Sequence, residues 1–208
     1  MAKNAQLLIV DDDRLILHTL STGLRSAGYR TVEADSGEAA IKLAQGLPID
    51  LAILDIRMSG MSGLELAAHL RDHGAIPSIF LSAYADNALV EQAVAEGALG
   101  YLVKPLDVPN IVPTIEAALV RAKELAALKK TQAQLNAAVK QGRDISVAIG
   151  MLMEHCGLGK EQAFEALRKV ARRERRKLDD LAAEILAGKA DLAKIIEIEA
   201  KTQSVRKF

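Results

Sequence analysis

Five side chains suited to phosphate chemistry stand at the ends of short apolar runs. Asp11 and Asp12 follow Leu7–Val10, Asp55 follows Leu51–Leu54, Ser82 follows Ser78–Leu81, and Lys104 with Pro105 follows Tyr101–Val103. Uncharged runs of this length read as strands buried on both faces of a parallel sheet. In such a sheet, functional groups collect where the carboxyl ends of the strands meet a switch in strand order, so these residues are expected to converge. Three carboxylates in one place repel one another and either take up protons or hold a cation; hard oxygen ligands with room for water suit Mg²⁺. Lys104 adds a fixed positive charge. A carboxylate, Mg²⁺, an ammonium and a hydroxyl around one point form a phosphoryl-transfer site, with Asp55 as the attacking group that becomes an acyl phosphate. Taken singly, each residue has a plainer role: a strand-end Asp is often a helix cap, and Asp13 is expected to be one.

The elements that must position these groups alternate along residues 7–106 in the pattern of a doubly wound α/β sheet. Strands are predicted at Leu7–Val10, Thr31–Ala34, Leu51–Leu54, Ser78–Leu81 and Tyr101–Val103. Helices are predicted at Arg14–Ala27, Gly37–Gln45, Leu64–His73 and Asn87–Glu96, stopped by Gly28, Gly46, Gly74 and Gly97. Ser62-Gly63-Leu64-Glu65 is a capping box for the third of them. After Pro105 the sequence becomes rich in Ala, Leu, Lys and Gln. A long helix is predicted over Ile111–Val139, with Leu125, Leu128, Gln132, Leu135 and Val139 on 3-and-4 spacing. That stripe is either the exposed side of a helix running out as a linker or a dimer seam. Gly142 is expected to interrupt, followed by helices Asp144–His155, Lys160–Arg172 and Leu178–Ala187, which together suffice for a small bundle. Residues 190–200 are helix-compatible, and 202–208 are expected to fray. The expected divisions are residues 5–120, a long helix over 111–141, a bundle over 142–188 and a tail over 189–208.

Half of the 208 residues are hydrophobic, enough for one ordinary core and a smaller second one. Formal charge is zero, yet residues 1–110 carry 8 basic and 14 acidic groups while 111–208 carry 19 and 13. The second half therefore either meets a polyanion or an acidic partner, or is a helical tail solvated by its charges. A single cysteine, Cys156, excludes an internal disulfide, and with no ligand-spaced His or Cys it suggests neither zinc nor an oxidising compartment. No apolar segment approaches the roughly 18 residues of a membrane span, and Leu7–Val10 stops at three aspartates, so neither a spanning segment nor a leader is expected.

With these residues in view, residues 6–120 resemble the receiver domain of bacterial two-component response regulators. Leu8-Ile9-Val10-Asp11-Asp12 resembles the family's acidic pair, Asp55 its phosphoacceptor, and Ser82-Ala83 its switch hydroxyl with a small neighbour. Tyr101 resembles its aromatic switch, and Lys104-Pro105 its lysine before a usually cis proline. The resemblance implies a flavodoxin-like fold, five parallel strands in the order 2-1-3-4-5. It also implies Mg²⁺ held by Asp11, Asp12, Asp55 and the backbone carbonyl of Arg57, and a sensor histidine kinase as phosphodonor. A regulator is expected rather than an enzyme, its only chemistry being its own phosphorylation at Asp55 and slow autodephosphorylation. Ser59 and Ser62 depart from the family's usual Pro and Asp; they leave the reactive groups intact and bear on the rigidity of the loop. A phosphoryl group on Asp55 would draw Ser82 in and let Tyr101 fill the vacated space, shifting a two-state equilibrium at that face.

The densest basic run is Arg168 to Lys177, where Arg168, Lys169, Arg172, Arg173, Arg175, Arg176 and Lys177 stand against Glu174 alone. Such a run suits phosphate contacts, the plain alternative being a solvated face. Phe164 is the only aromatic in the three-helix stretch, which excludes base stacking across an RNA-recognition sheet, and no helix-turn-helix pattern stands out. Helices reading paired RNA by shape and backbone remain. Around this run, residues about 140–187 resemble the ANTAR domain, the AmiR/NasR type of transcription antiterminator, which binds paired RNA hairpins. The match runs through Ala148-Ile149-Gly150-Met151-Leu152-Met153, Ala163-Phe164-Glu165-Ala166-Leu167-Arg168, Ala171, and Lys177-Leu178-Asp179-Asp180-Leu181-Ala182. Ile149 stands where the family usually has Lys or Arg, which moves the expected contacts onto Arg168, Lys169, Arg172, Arg173 and Lys177. The two resemblances together imply an antiterminator controlled by phosphorylation; the lone cysteine makes a cytoplasmic protein the expectation, and the seam on the long helix a homodimer. Two other readings stay open. One is a regulator that binds only protein; the other is a haloacid-dehalogenase-like phosphatase, which would need Asp11 as nucleophile, Asp13 as acid, and Thr or Val where Leu15 stands.

Overall fold

The computed structural model of the chain describes residues 4–83, 87–105 and 107–190. Its elements are β1 (Gln6–Val10), α1 (Arg14–Ser26), β2 (Arg30–Ala34), α2 (Gly37–Gly46), β3 (Leu51–Asp55), α3 (Gly63–Gly74), β4 (Ser78–Ser82), α4 (Asn87–Ala95), β5 (Tyr101–Val103), α5 (Val108–Cys156), α6 (Lys160–Arg173) and α7 (Leu178–Leu186). Two compact units divide the chain, Met1–Ala127 and Leu128–Phe208.

In the first unit the strands form one parallel sheet in the order β2-β1-β3-β4-β5. The expected order and strand positions hold, because strands covered on both faces must be apolar throughout and must alternate their side chains between the faces. Leu7, Ile9, Leu51, Ile53, Ile79 and Leu81 point to the α1 and α5 side, where Leu17, Leu20, Leu24, Ile111, Ile115 and Leu119 complete a buried cluster. Leu8, Val10, Ala52, Leu54 and Phe80 point the other way, onto Ala40, Leu66 and Leu70 of α2 and α3. Each such large side chain contributes about 1.5–3 kcal/mol on burial.

The turns at the carboxyl ends are fixed locally. Asp13 caps α1, accepting from the Leu15 and Ile16 amides at 2.8 and 3.4 Å. Ser62 and Glu65 form the expected reciprocal capping box. Gly63 is dictated by space: a Cβ there would collide with the Asp55 carbonyl oxygen, so α3 can start against the end of β3 only on glycine. Two of the predicted stops work otherwise than expected. α2 runs through Gly46 to an extended Leu47, and α3 ends at a left-handed Ala75 (φ 51°) rather than at Gly74. The Ala75 and Ile76 amides bond back to the Arg71 and Leu70 carbonyls, and Ile76 is buried, so packing sets this exit.

The expected break at Gly142 is absent: α5 is continuous over 49 residues. One exposed glycine costs a helix about 1 kcal/mol against alanine, too little to stop a run of strong helix formers that offers no cap. α5 thus supplies Ile111 and Ile115 to the first core and Ala148, Ile149 and Leu152 to the second. In the second unit α6 and α7 close that core with Ala163, Leu167, Val170, Leu181 and Ile185. Among the described residues no helix is long and apolar enough to cross a membrane. Residues 191–208, expected to be part helical and part frayed, lie outside the described residues.

Two glycine substitutions with opposite signs check this account by thermal unfolding and circular dichroism. Gly63→Ala should destabilise the first unit by roughly 1–3 kcal/mol through overpacking. Gly142→Ala, which meets nothing within 4 Å, should gain about 1 kcal/mol and some helicity.

Candidate functional site

Four adjacent strands deliver their polar ends to one edge of the sheet: Asp11 and Asp12 just past β1, Asp55 closing β3, Ser82 closing β4 and Lys104 just past β5. The three aspartates each offer an oxygen within 4.8 Å of the others. The Lys104 ammonium lies between two of them, 2.7 Å from Asp11 Oδ2 and 3.3 Å from Asp55 Oδ1. Asp11 is 1% exposed and Asp55 7%, whereas Asp12 faces solvent. Asp11 Oδ1 also accepts the Asp13 amide at 3.0 Å. The Lys104 amide donates to the Ser82 carbonyl at 2.7 Å, and the Lys104–Pro105 peptide is cis.

The charge states follow from this crowding. Burial pushes the Asp55 carboxyl above the usual aspartate range; Lys104 pulls it back, while Asp11 and Asp12 push it further up. Asp12 is held below the usual range, first by the Ser59 amide and also by the Ser59 hydroxyl, despite some desolvation. Burial works against the Lys104 ammonium, but the hydrogen bond and charge of Asp11, with the charge of Asp55, outweigh it and raise its pKa. Among the described residues, three carboxylates face one ammonium. The donors are hard oxygens, so the cluster fits a divalent metal ion, which would relieve the repulsion.

Ser82 is buried at the end of β4. Tyr101 starts β5, half-buried against the second of the sheet's two cores and in register with Phe80, two positions short of Ser82. Arg57 is exposed in the bend after β3. Ser59, read from the sequence only as a departure in the loop, proves to touch the cluster: its amide and hydroxyl meet Asp12 Oδ2 at 2.9 and 3.1 Å. Nothing local signals this, because the partners lie 47 residues apart. A cavity of about 500 Å³ opens beside Lys104, lined by Leu15, Ile16, Thr19, Pro105 and Val108, with Leu15 74% exposed.

In the second unit the basic run spans the end of α6, a turn and the N-cap of α7. Arg168, Arg172, Arg173, Arg175 and Lys177 are exposed, and Lys169 is half-buried. Arg168 meets Glu165 at 3.4 Å, an exposed pair of little weight. Arg176 differs from its neighbours: Glu184 Oε1 takes its guanidinium at 2.6 Å, and Glu174 adds a contact at 3.5 Å, which ties it into the bundle. Arg175 sits at φ 54°, the left-handed position closing α6, where the Arg176 amide bonds the Ala171 carbonyl at 2.9 Å. Ile149 is a core residue, buried where the resemblance led one to look for a cation.

Titration of the Asp55 carboxyl by ¹³C NMR tests the electrostatics. It should titrate above an ordinary aspartate without added cation and move down when a divalent ion is added; titration at or below the ordinary value would contradict the account. Because the folded pKa is raised, the contribution of Asp55 to stability falls as pH climbs from its unfolded value through its folded one. Asp12, depressed, has the opposite sign: its contribution is present above its unfolded pKa and lost as pH falls through its folded one.

Comparison with known proteins agrees with this geometry. The response regulator receiver domain matches residues 7–116 and the ANTAR domain residues 133–186. Transcriptional regulatory protein PdtaR of Mycobacterium tuberculosis is 32% identical over 182 residues, covering 87% of this chain and 89% of that protein. Heme response regulator HssR of Staphylococcus haemolyticus is 40% identical over 114 residues, 55% of this chain and 51% of that one. Among solved structures, chemotaxis protein CheY4 of Vibrio cholerae superposes with a TM-score of 0.54 at 30% identity, covering 55% of this chain and 98% of its own. The chain belongs to the response-regulator family, as an aspartate-phosphorylated regulator that controls RNA binding and transcription antitermination through an ANTAR domain.

Proposed function

We propose that Asp55 is the phosphoacceptor, that Mg²⁺ is held by Asp11, Asp12, Asp55 and the Arg57 carbonyl, and that a sensor histidine kinase is the donor. The observation that carries this reading is the Lys104 ammonium shared between Asp11 and Asp55. An acceptor carboxylate beside a fixed cation can meet the negative charge of an incoming phosphoryl group. When bound, Mg²⁺ neutralises phosphoryl oxygens and relieves the carboxylate repulsion. Asp55 supplies the attacking oxygen, Lys104 pairs with the transferred group, and Ser82 and Tyr101 register its arrival. A macromolecular donor must also seat itself beside the site, and the apolar cavity flanked by exposed Leu15 suits a helix of the kinase. Residues 5–120 form the receiver, 111–141 the long helix, 142–188 the RNA-binding unit and 189–208 a tail, in a cytoplasmic protein. Along α5 the exposed Leu125, Leu128, Leu135 and Val139 favour pairing with a second copy; sedimentation of a Leu128→Lys, Leu135→Lys variant as monomer where the parent dimerises is the check.

RNA contact falls to Arg168, Lys169, Arg172, Arg173, Arg175 and Lys177, with Arg176 holding the turn that presents them. Cations in the last turn of a helix also favour its dipole, so position alone does not separate binding from stability. Arg175 does. A left-handed non-glycine residue costs about 1–2 kcal/mol, and retaining a cation there points to a use beyond the fold.

Mass spectrometry after acetyl phosphate treatment should locate the phosphoryl group on Asp55; its presence on Asp11 would favour the phosphatase reading. Leu15→Arg should slow transfer from a phosphohistidine donor while leaving acetyl phosphate labelling unchanged. Arg175→Gly should raise the thermal midpoint of the second unit yet weaken hairpin RNA binding and lower its salt slope by about 1. Stabilisation with unchanged RNA affinity and slope would remove Arg175 from the interface.

A further inference from the structure

Asp12 is the solvent-facing member of the carboxylate cluster, and one residue grips it twice. The Ser59 amide and hydroxyl both donate to Asp12 Oδ2, at 2.9 and 3.1 Å. An exposed carboxylate is free to rotate, and freedom lost on binding a cation subtracts from affinity. The double contact removes that freedom beforehand. It uses one oxygen, so Oδ1 remains available as a metal ligand. Proline at this position would supply neither donor, having no amide hydrogen and no hydroxyl. The contact also ties the carboxylate to the loop between β3 and α3, four residues after Asp55 and two after Arg57.

We propose that Ser59 is a positioning residue for the cation site: it fixes Asp12 in the orientation that binds Mg²⁺ and joins the loop after β3 to the occupancy of that site. The proposal rests on the reading that the cluster holds Mg²⁺. Ser59 thereby ties the loop, whose rigidity its residue type was expected to bear on, to Asp12.

The test is calorimetric titration of Mg²⁺ into the unphosphorylated full chain, with the thermal midpoint of each variant recorded in the absence of cation. Hydrogen-bond partners of metal-ligating groups are typically worth 10–100-fold in affinity. Ser59→Pro, which removes both donors, should weaken Mg²⁺ binding about tenfold or more. Ser59→Ala, which keeps the amide, should fall between, and Ser59→Thr, which keeps both, should bind as the parent does. In an Asp12→Ala background, where the acceptor is gone, Ser59→Pro should have no further effect, which a merely structural role for the loop would not produce. Parent-like affinity in Ser59→Pro and Ser59→Ala, or an undiminished effect of Ser59→Pro in Asp12→Ala, overturns the role of Ser59 while leaving the cation site in place. A parent protein that takes up no Mg²⁺ overturns the cation reading and this role together.

Discussion

Everything in the receiver depends on holding several like charges at one buried edge. Asp11 and Asp55 are both almost fully enclosed, and the Lys104 ammonium between them compensates only part of their repulsion. A cluster so arranged changes its surroundings with any change in its own charge, whether a proton, a metal ion or a phosphoryl group. It can be maintained only by a scaffold that does not yield. Here that scaffold is a parallel sheet apolar on both faces, whose strands end in register so that four of them contribute to one spot. Gly63 extends the same constraint to α3 by letting its first turn press on the Asp55 backbone.

The second unit uses charge in the opposite sense. Its core is small and made largely of alanine, leucine, isoleucine and valine, so the cations of α6 and the following turn are displayed on a compact support. Within the basic run Arg176 is paired with Glu184, while Arg172, Arg173, Arg175 and Lys177 are exposed. One helix, α5, supplies Ile111 and Ile115 to the core of the sheet and Ala148, Ile149 and Leu152 to the core of the bundle.

Much of this was legible in the residues because the signals were local. Buried parallel strands need unbroken apolar runs, and Leu7–Val10 and Leu51–Leu54 have them; the capping roles of Asp13 and Ser62 lie within three or four residues of their partners. The convergence of Asp11, Asp12, Asp55 and Lys104 was legible because parallel topology leaves few places for strand ends to go. What escaped depended on tertiary context. Gly142 looked like punctuation, but one glycine does not outweigh the helix formers on either side. Gly74 looked like a left-handed stop, whereas its place is set by Ile76, whose side chain a Cβ would approach at 3.1 Å. The Arg176–Glu184 pair and the Ser59–Asp12 contact join residues that no local signal in the sequence connects.

The central claim is that the charge state of Asp55 governs RNA binding by the helical unit. Its most direct test is the affinity of the full chain, by fluorescence anisotropy at fixed salt, for a labelled hairpin selected from a randomised-loop RNA pool. The account predicts that acetyl phosphate treatment shifts the Kd by at least about fivefold, the lower end of ordinary coupling energies, and that Asp55→Asn abolishes the shift. Identical Kd values before and after phosphorylation, or a shift that persists in Asp55→Asn, would contradict it.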